Sequence, residues 1–296
     1  MTDALARLLE NFIDYAGIFP PAKLEMKEAV ENYQKYRQGA EARFLGRFVC
    51  SAARLEEFGQ ALSGNSEPIP VSVIGTSAED KSKWGDALVQ DAEAMTRFME
   101  RTGDSADIEA YEIRVPDQKN LAEYLMDLRA FNQVDVYCEL PWGPEMADSL
   151  GLIAEQDWIG AKIRTGGLEA KAFPTSLEIA EFLQQCAQLD LVHKLTAGLH
   201  HPLRAYREEV KTKMHGFLNV LVAVALLQAH DLTKKEVEGI LECEDPTQFG
   251  FAQTKITFGE WSADDEDIAS ARSIFAGIGS CSVQEPMDDL STLGLL

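Results

Sequence analysis

Two hydrophobic patterns alternate along this chain. Short runs rich in β-branched and aromatic residues end in Gly, Pro or polar side chains, and between them lie longer stretches whose apolar positions recur every three or four residues. Strand-like runs fall at 12–19, 44–51, 70–75, 109–116, 134–141, 160–167, 191–201 and 216–223, the last running directly into helix-like sequence over 224–229. Helix-like stretches cover 1–11, 24–36, 55–62, 80–101, 121–131, a segment from about 145, and 177–189. Such alternation predicts parallel βα units, and eight strands can close into a ring. The expected fold is an α/β protein, a (β/α)8 TIM barrel with extra C-terminal helices, in preference to a doubly wound sheet. Residues 1–296 are expected to form one domain, with the barrel over about 12–230 and an extension over about 231–296. In that extension the pattern predicts helices at 232–241 and 264–275, a short strand at 254–258, and a loop at 277–282 that either reaches over the barrel mouth or packs outside.

The sixth and seventh runs carry an unusual alternation. Lys162 and Arg164 flank Ile163, and Lys194 and Thr196 flank Leu195. Successive side chains of a strand point to opposite faces, and both faces of a parallel sheet are buried. A buried face bearing Lys162, Arg164 and Lys194 is costly unless carboxylates or an anionic ligand compensate it. Barrel enzymes place their chemistry at the C-terminal ends of the strands. That rule collects Glu112 and Arg114 from the fourth strand, Glu139 from the fifth, Lys162 and Arg164 from the sixth, and Lys194 and Thr196 from the seventh. Four cations against two carboxylates suit an anionic substrate, a carboxylate or a phosphate ester.

Composition narrows the picture. Hydrophobic residues make up 46% and charged residues 26%, a balance that supports a sizeable core. A net charge of −22 argues against nucleic acid or an anionic membrane as partner. The longest apolar run, 220–227, is too short to span a bilayer. The N-terminal residues lack a signal-peptide pattern, and five scattered cysteines without C-x-x-C read as free thiols, so a cytoplasmic location is expected. No cofactor and no cysteine-based zinc site is expected, and assembly into a homo-oligomer is left open.

Lys162 and Lys194 would lie on neighbouring strands at similar depth. A lysine beside a second cation in a partly desolvated pocket is expected to have its pKa lowered, and a neutral amine is what imine chemistry needs. The competing expectation is that both lysines balance Glu112 and Glu139 in a structural ion-pair network.

Lys162-Ile-Arg-Thr165-Gly166 resembles the K-x-x-T-G run of the deoxyribose-phosphate aldolase family of class I aldolases, and Lys194-Leu-Thr-Ala-Gly198 is similar to that family's second lysine motif, 32 residues further on. The resemblance implies a Schiff-base lysine at Lys162 on strand six, a pKa-lowering Lys194 on strand seven, and an acidic proton relay for which Glu112 is the positional match. Here Glu stands where the family has Asp, Leu199 replaces a glycine of the strand-seven turn, and His200-His201-Pro202 replaces the family's loop.

The resulting expectation is an aldolase-type lyase for a small anionic carbonyl compound, with Lys162, Lys194, Glu112 and Glu139 as catalytic residues. Substrate binding would fall to Arg114, Arg164, Thr165, Gly166, Thr196, His200, His201 and Arg204. Two alternatives stand beside it. One is a metal-dependent lyase or hydrolase built on His200, His201 and carboxylates such as Glu139, Glu112 or Asp14. The other is a non-catalytic barrel that binds an anionic metabolite. His193 shares the apolar phase with Leu195 and is expected to pack between strand and helix, whereas Asp14 and Asn219 are further candidates for the mouth.

Overall fold

In the computed structural model, which describes residues 1–62 and 67–296, eight parallel strands close into a barrel. They are β1 (Ile13–Tyr15), β2 (Leu45–Ser51), β3 (Ile69–Ile74), β4 (Ala106–Arg114), β5 (Asp135–Glu139), β6 (Ile159–Arg164), β7 (His193–Thr196) and β8 (Phe275–Ser280). Each lies beside its sequence neighbours, and β8 closes the ring between β7 and β1. Helices Met26–Gln38, Leu55–Ala61, Lys81–Thr102, Leu121–Leu128, Met146–Ala154 and Ser176–Gln188 follow β1 to β6 in turn. This is the (β/α)8 TIM barrel that the alternation predicts, with additional helices in its C-terminal part. Among the described residues, no helix is long and apolar enough to cross a membrane.

The closing strand is not where the pattern places it. Residues 216–223 belong to the helix Phe217–Ala229, and the barrel is completed by 275–280, so it does not end near 230. Residues 217 to 226 are all buried, because this helix packs against helices Ser176–Gln188, Lys234–Glu242 and Asp265–Ile274. A helix apolar on every side has no amphipathic period, so it reads like a buried strand. The true eighth strand, Phe-Ala-Gly-Ile-Gly-Ser, reads as a loop because of its glycines. Gly277 has φ +138°, and a Cβ there would lie 2.6 Å from the carbonyl oxygen of Phe12, so the seam between β8 and β1 closes only around glycine.

The extra elements are inserted between β7 and β8. They comprise the hairpin Ala205–Arg207 with Thr212–Met214, the helices Phe217–Ala229 and Lys234–Glu242, a three-stranded antiparallel sheet over 249–264, and the helix Asp265–Ile274. The helix Gln284–Thr292 follows β8. Thr175, Thr233 and Asp264 cap the helices Ser176–Gln188, Lys234–Glu242 and Asp265–Ile274, each in a reciprocal capping box that satisfies otherwise orphaned N–H donors.

Candidate functional site

Strand register brings the charged residues together. Glu139 pairs with Lys162 across β5 and β6, and Lys162 pairs with Lys194 across β6 and β7. The two lysines therefore share one level of the barrel interior, as the alternation predicts. Glu112 reaches the same level from β4. The Lys162 Nζ lies 2.7 Å from Glu112 Oε2 and 2.9 Å from Glu139 Oε2. The Lys194 Nζ lies 2.5 Å from Glu112 Oε1 and pairs also with Asp14 at β1. Ser72 on β3 donates its hydroxyl to Glu112 Oε1 at 2.5 Å. Glu112 is thus a bridge between two ammoniums, and it is only 1% exposed.

Below this chain, the Arg47 amide donates to Asp14 Oδ1 at 2.6 Å while the Arg47 guanidinium binds Glu109 and Asp135. The Lys194 Nζ also sits 5.7 Å from the centre of the Tyr137 ring, within range of a cation–π attraction.

These contacts reverse the expected pKa shift of the lysines. Burial pulls Lys162 down, but Glu112 and Glu139 outweigh it and hold the amine above its ordinary value. Lys194 is likewise raised, burial being overcome by Asp14 and Glu112. Burial pushes the Glu112 carboxyl up, and Lys162 and Lys194 together hold it well below the usual carboxylate range. Glu112 stands between the two ammoniums, and the carboxylates set the upward direction of the Lys162 shift.

Above the network opens a cavity of about 440 Å³. Glu112, Glu139, Lys162 and Lys194 form its floor, and Arg114, Arg164, Thr196, Gly167, His200 and Cys281 line its walls. Arg114 and Arg164 lie one inward position beyond Glu112 and Lys162 on the same strands and are exposed. Neither guanidinium pairs with a carboxylate among the described residues. With Asp14 included, the floor holds two ammoniums and three carboxylates. The excess of positive charge expected from the sequence is thus displaced to the rim, where a ligand can reach it.

Four of the expected binding residues stand elsewhere. Thr165 is buried and donates to the Ala197 carbonyl at 2.6 Å. Gly166 packs against Gly198, where a Cβ would lie 2.8 Å from the facing Cα, so it serves loop packing. His201 is bonded through Nδ1 to Asp289 of the helix Gln284–Thr292 at 2.6 Å. The Arg204 guanidinium meets His215 Nδ1 at 2.9 Å and Glu242 at 3.9 Å, away from the cavity. Asn219 is also structural, since it accepts from the Arg204 amide and donates to the carbonyls of Ile240 and Cys243.

The grouping of His200, His201 and carboxylates into a metal centre is not found. Both imidazoles face the helix after β8, and among the described residues no set of three or more His, Cys, Asp or Glu side chains is arranged to hold a metal ion. His193 packs between Phe182 and Phe275 with Nδ1 on the Leu191 carbonyl, as its phase predicts, and burial pushes its pKa down to about 4.

Three residues escape the sequence reading. Asp14 is legible as a residue near the mouth but not as the partner of Lys194. Ser72 carries a usable signal, a lone polar residue in an apolar strand. Cys281 gives none, since its cavity position depends on β8. Comparisons with protein-family models, with curated proteins and with solved structures found no match for this chain.

Proposed function

We propose that this barrel is an aldolase-type lyase acting on a small anionic carbonyl compound through an imine on Lys162. The observation that carries the reading is the position of Lys162 at the cavity floor between two carboxylates, beneath two guanidiniums that pair with no carboxylate among the described residues. The guanidiniums suit a carboxylate or phosphate on the substrate.

In the resting site Lys162 is an ammonium, so a proton must leave before the amine can attack. Glu139 Oε2 is 2.9 Å away and is the more exposed of its two carboxylate partners. Substrate entry expels water, and desolvation favours a neutral amine and carboxylic acid over the corresponding ion pair. Attack on the carbonyl gives a carbinolamine, and its hydroxyl leaves as water with the proton returned by Glu139, giving an iminium that restores a positive charge to the same nitrogen. Glu112 and Glu139 are already placed against that charge and stabilise it without reorganisation. Lys194 keeps Glu112 ionised throughout, a role different from lowering the pKa of Lys162.

Borohydride trapping with a panel of small aldehydes and keto acids tests the proposal, read by intact mass and peptide mapping. The expected result is an adduct on Lys162 in the wild type that disappears in Lys162→Ala. Complete absence of adducts across the panel would leave the lysines as charge partners of a barrel that binds anions without turning them over.

A further inference from the structure

Imine chemistry requires a group that moves a proton at the carbon next to the iminium, on the substrate side of the floor. The cavity wall contains one such group that the floor network does not use. His200 lies in the loop after β7, lines the cavity, and is mostly buried. Its Nδ1 faces Cys281 Sγ at 4.0 Å and Glu285 Oε2 at 3.8 Å, both contributed by the segment after β8. A neutral imidazole has one ring nitrogen with a lone pair that can accept a proton, and these contacts orient the ring at the cavity wall through Nδ1.

The loop that delivers this ring is held in an unfavourable backbone conformation. Ala197 has φ +64°, a left-handed value that is unfavourable for a residue with a Cβ. Gly198 follows at φ +77°, packed against Gly166 so closely that a Cβ would lie 2.9 Å from the facing Cα. The Thr165 hydroxyl clamps the turn through the Ala197 carbonyl. The turn sends Leu199 into the core, fully buried, and puts His200 on the cavity wall.

We infer that His200 is the general base and acid that interconverts the Lys162 iminium and its enamine, a role that rests on the imine reading above. In the forward step the unprotonated ring nitrogen takes the proton from the carbon adjacent to the iminium. The C–H electron pair becomes the C=C bond of the enamine, and the iminium nitrogen becomes neutral. In reverse, the protonated ring returns the proton to carbon. Burial, reinforced by the neighbouring His201, pushes the His200 pKa down to about 4, so at neutral pH the ring is an uncharged acceptor. Glu112 and Glu139 face the iminium nitrogen itself, whereas His200 stands on the cavity wall as a neutral base.

The test uses the full-length chain and the carbonyl compound that traps best on Lys162. Borohydride adduct yield reports imine formation, and NMR of deuterium uptake from solvent at the adjacent carbon reports the proton transfer. In His200→Gln the Lys162 adduct should persist while exchange slows by about a hundredfold or more, the usual size of a general-base contribution. The persisting adduct also shows that the variant retains a folded site. Exchange at the wild-type rate in a variant that still forms the adduct would overturn the role of His200 and leave the imine standing. Absence of the adduct in the wild type would overturn both readings together.

Discussion

Two cavities of this molecule each have a nearly inaccessible carboxylate in the wall, and they satisfy it in opposite ways. The larger, of about 690 Å³, lies outside the barrel between helix Lys81–Thr102 and the segments after β2 and β3. Its Asp91 accepts from the Thr76 amide, the Thr76 hydroxyl and the Tyr111 hydroxyl, each at 2.7 Å. All three donors are neutral, and they pin the loop after β3. Glu112, in the smaller cavity, is held by two ammoniums and one hydroxyl.

Neutral donors fix a carboxylate in place, whereas ammoniums also create a polarised floor whose charges can be redistributed when a ligand arrives. Size alone would select the outer cavity. The charge arrangement, with two rim arginines that pair with no carboxylate among the described residues, favours the smaller one as the candidate site.

The largest expected effect separates the two carboxylates directly. Glu112→Gln leaves two buried ammoniums short of charge and should cost about 3–5 kcal/mol in urea unfolding, as breaking buried ion pairs does. Asp91→Asn, which disturbs only neutral hydrogen bonds, should cost about 1–3 kcal/mol and leave Lys162 trapping intact. Equal losses in the two variants would erase the distinction.

The comparison sharpens with pH. Glu112 is depressed in the folded chain, so its contribution is complete above its ordinary value of 4.5 and is lost as pH falls towards the folded value. Lys162 and Lys194 are raised, so theirs are complete below 10.5 and are lost as pH climbs through the folded values. The stability gap between wild type and Glu112→Gln should therefore be widest between about pH 5 and about pH 10 and shrink on both sides. A gap that does not vary with pH would mean that the network contributes through shape and not through charge.

At the rim, Arg164→Ala should weaken the thermal stabilisation conferred by phosphate or small carboxylic acids by about tenfold in apparent affinity, the loss expected for one charge-assisted contact. Its effect on the stability of the free chain should stay within about 0.5 kcal/mol. The smallest effect on binding is expected at Arg204, whose guanidinium is already occupied by His215 and Glu242. Arg204→Ala should leave the anion titration unchanged, and a loss there equal to that of Arg164→Ala would relocate the anion site.

Much of this arrangement is legible along the chain because strands obey a period of two. Glu112 and Arg114, or Lys162 and Arg164, must share a face whatever the rest of the molecule does. The eighth strand is not legible, because Gly277 is needed for a close seam and a run with Gly277 and Gly279 reads as loop. The helix Phe217–Ala229 misleads for the converse reason: burial on all sides removes the polar face that marks a helix. Thr165, Gly166 and His201 sit beside cavity residues in sequence, and Arg204 lies four residues beyond His200, but each is taken up by loop or helix contacts.

The sequence by itself determined the barrel and the facing of its charged residues, since the alternation of elements and the period of two within each strand are both local patterns. Only the tertiary structure decided that β8 comes from 275–280, that Asp14 completes the network, and that both lysines are held charged. Those outcomes depend on distances between residues far apart in the chain, and an electrostatic shift is set by such distances.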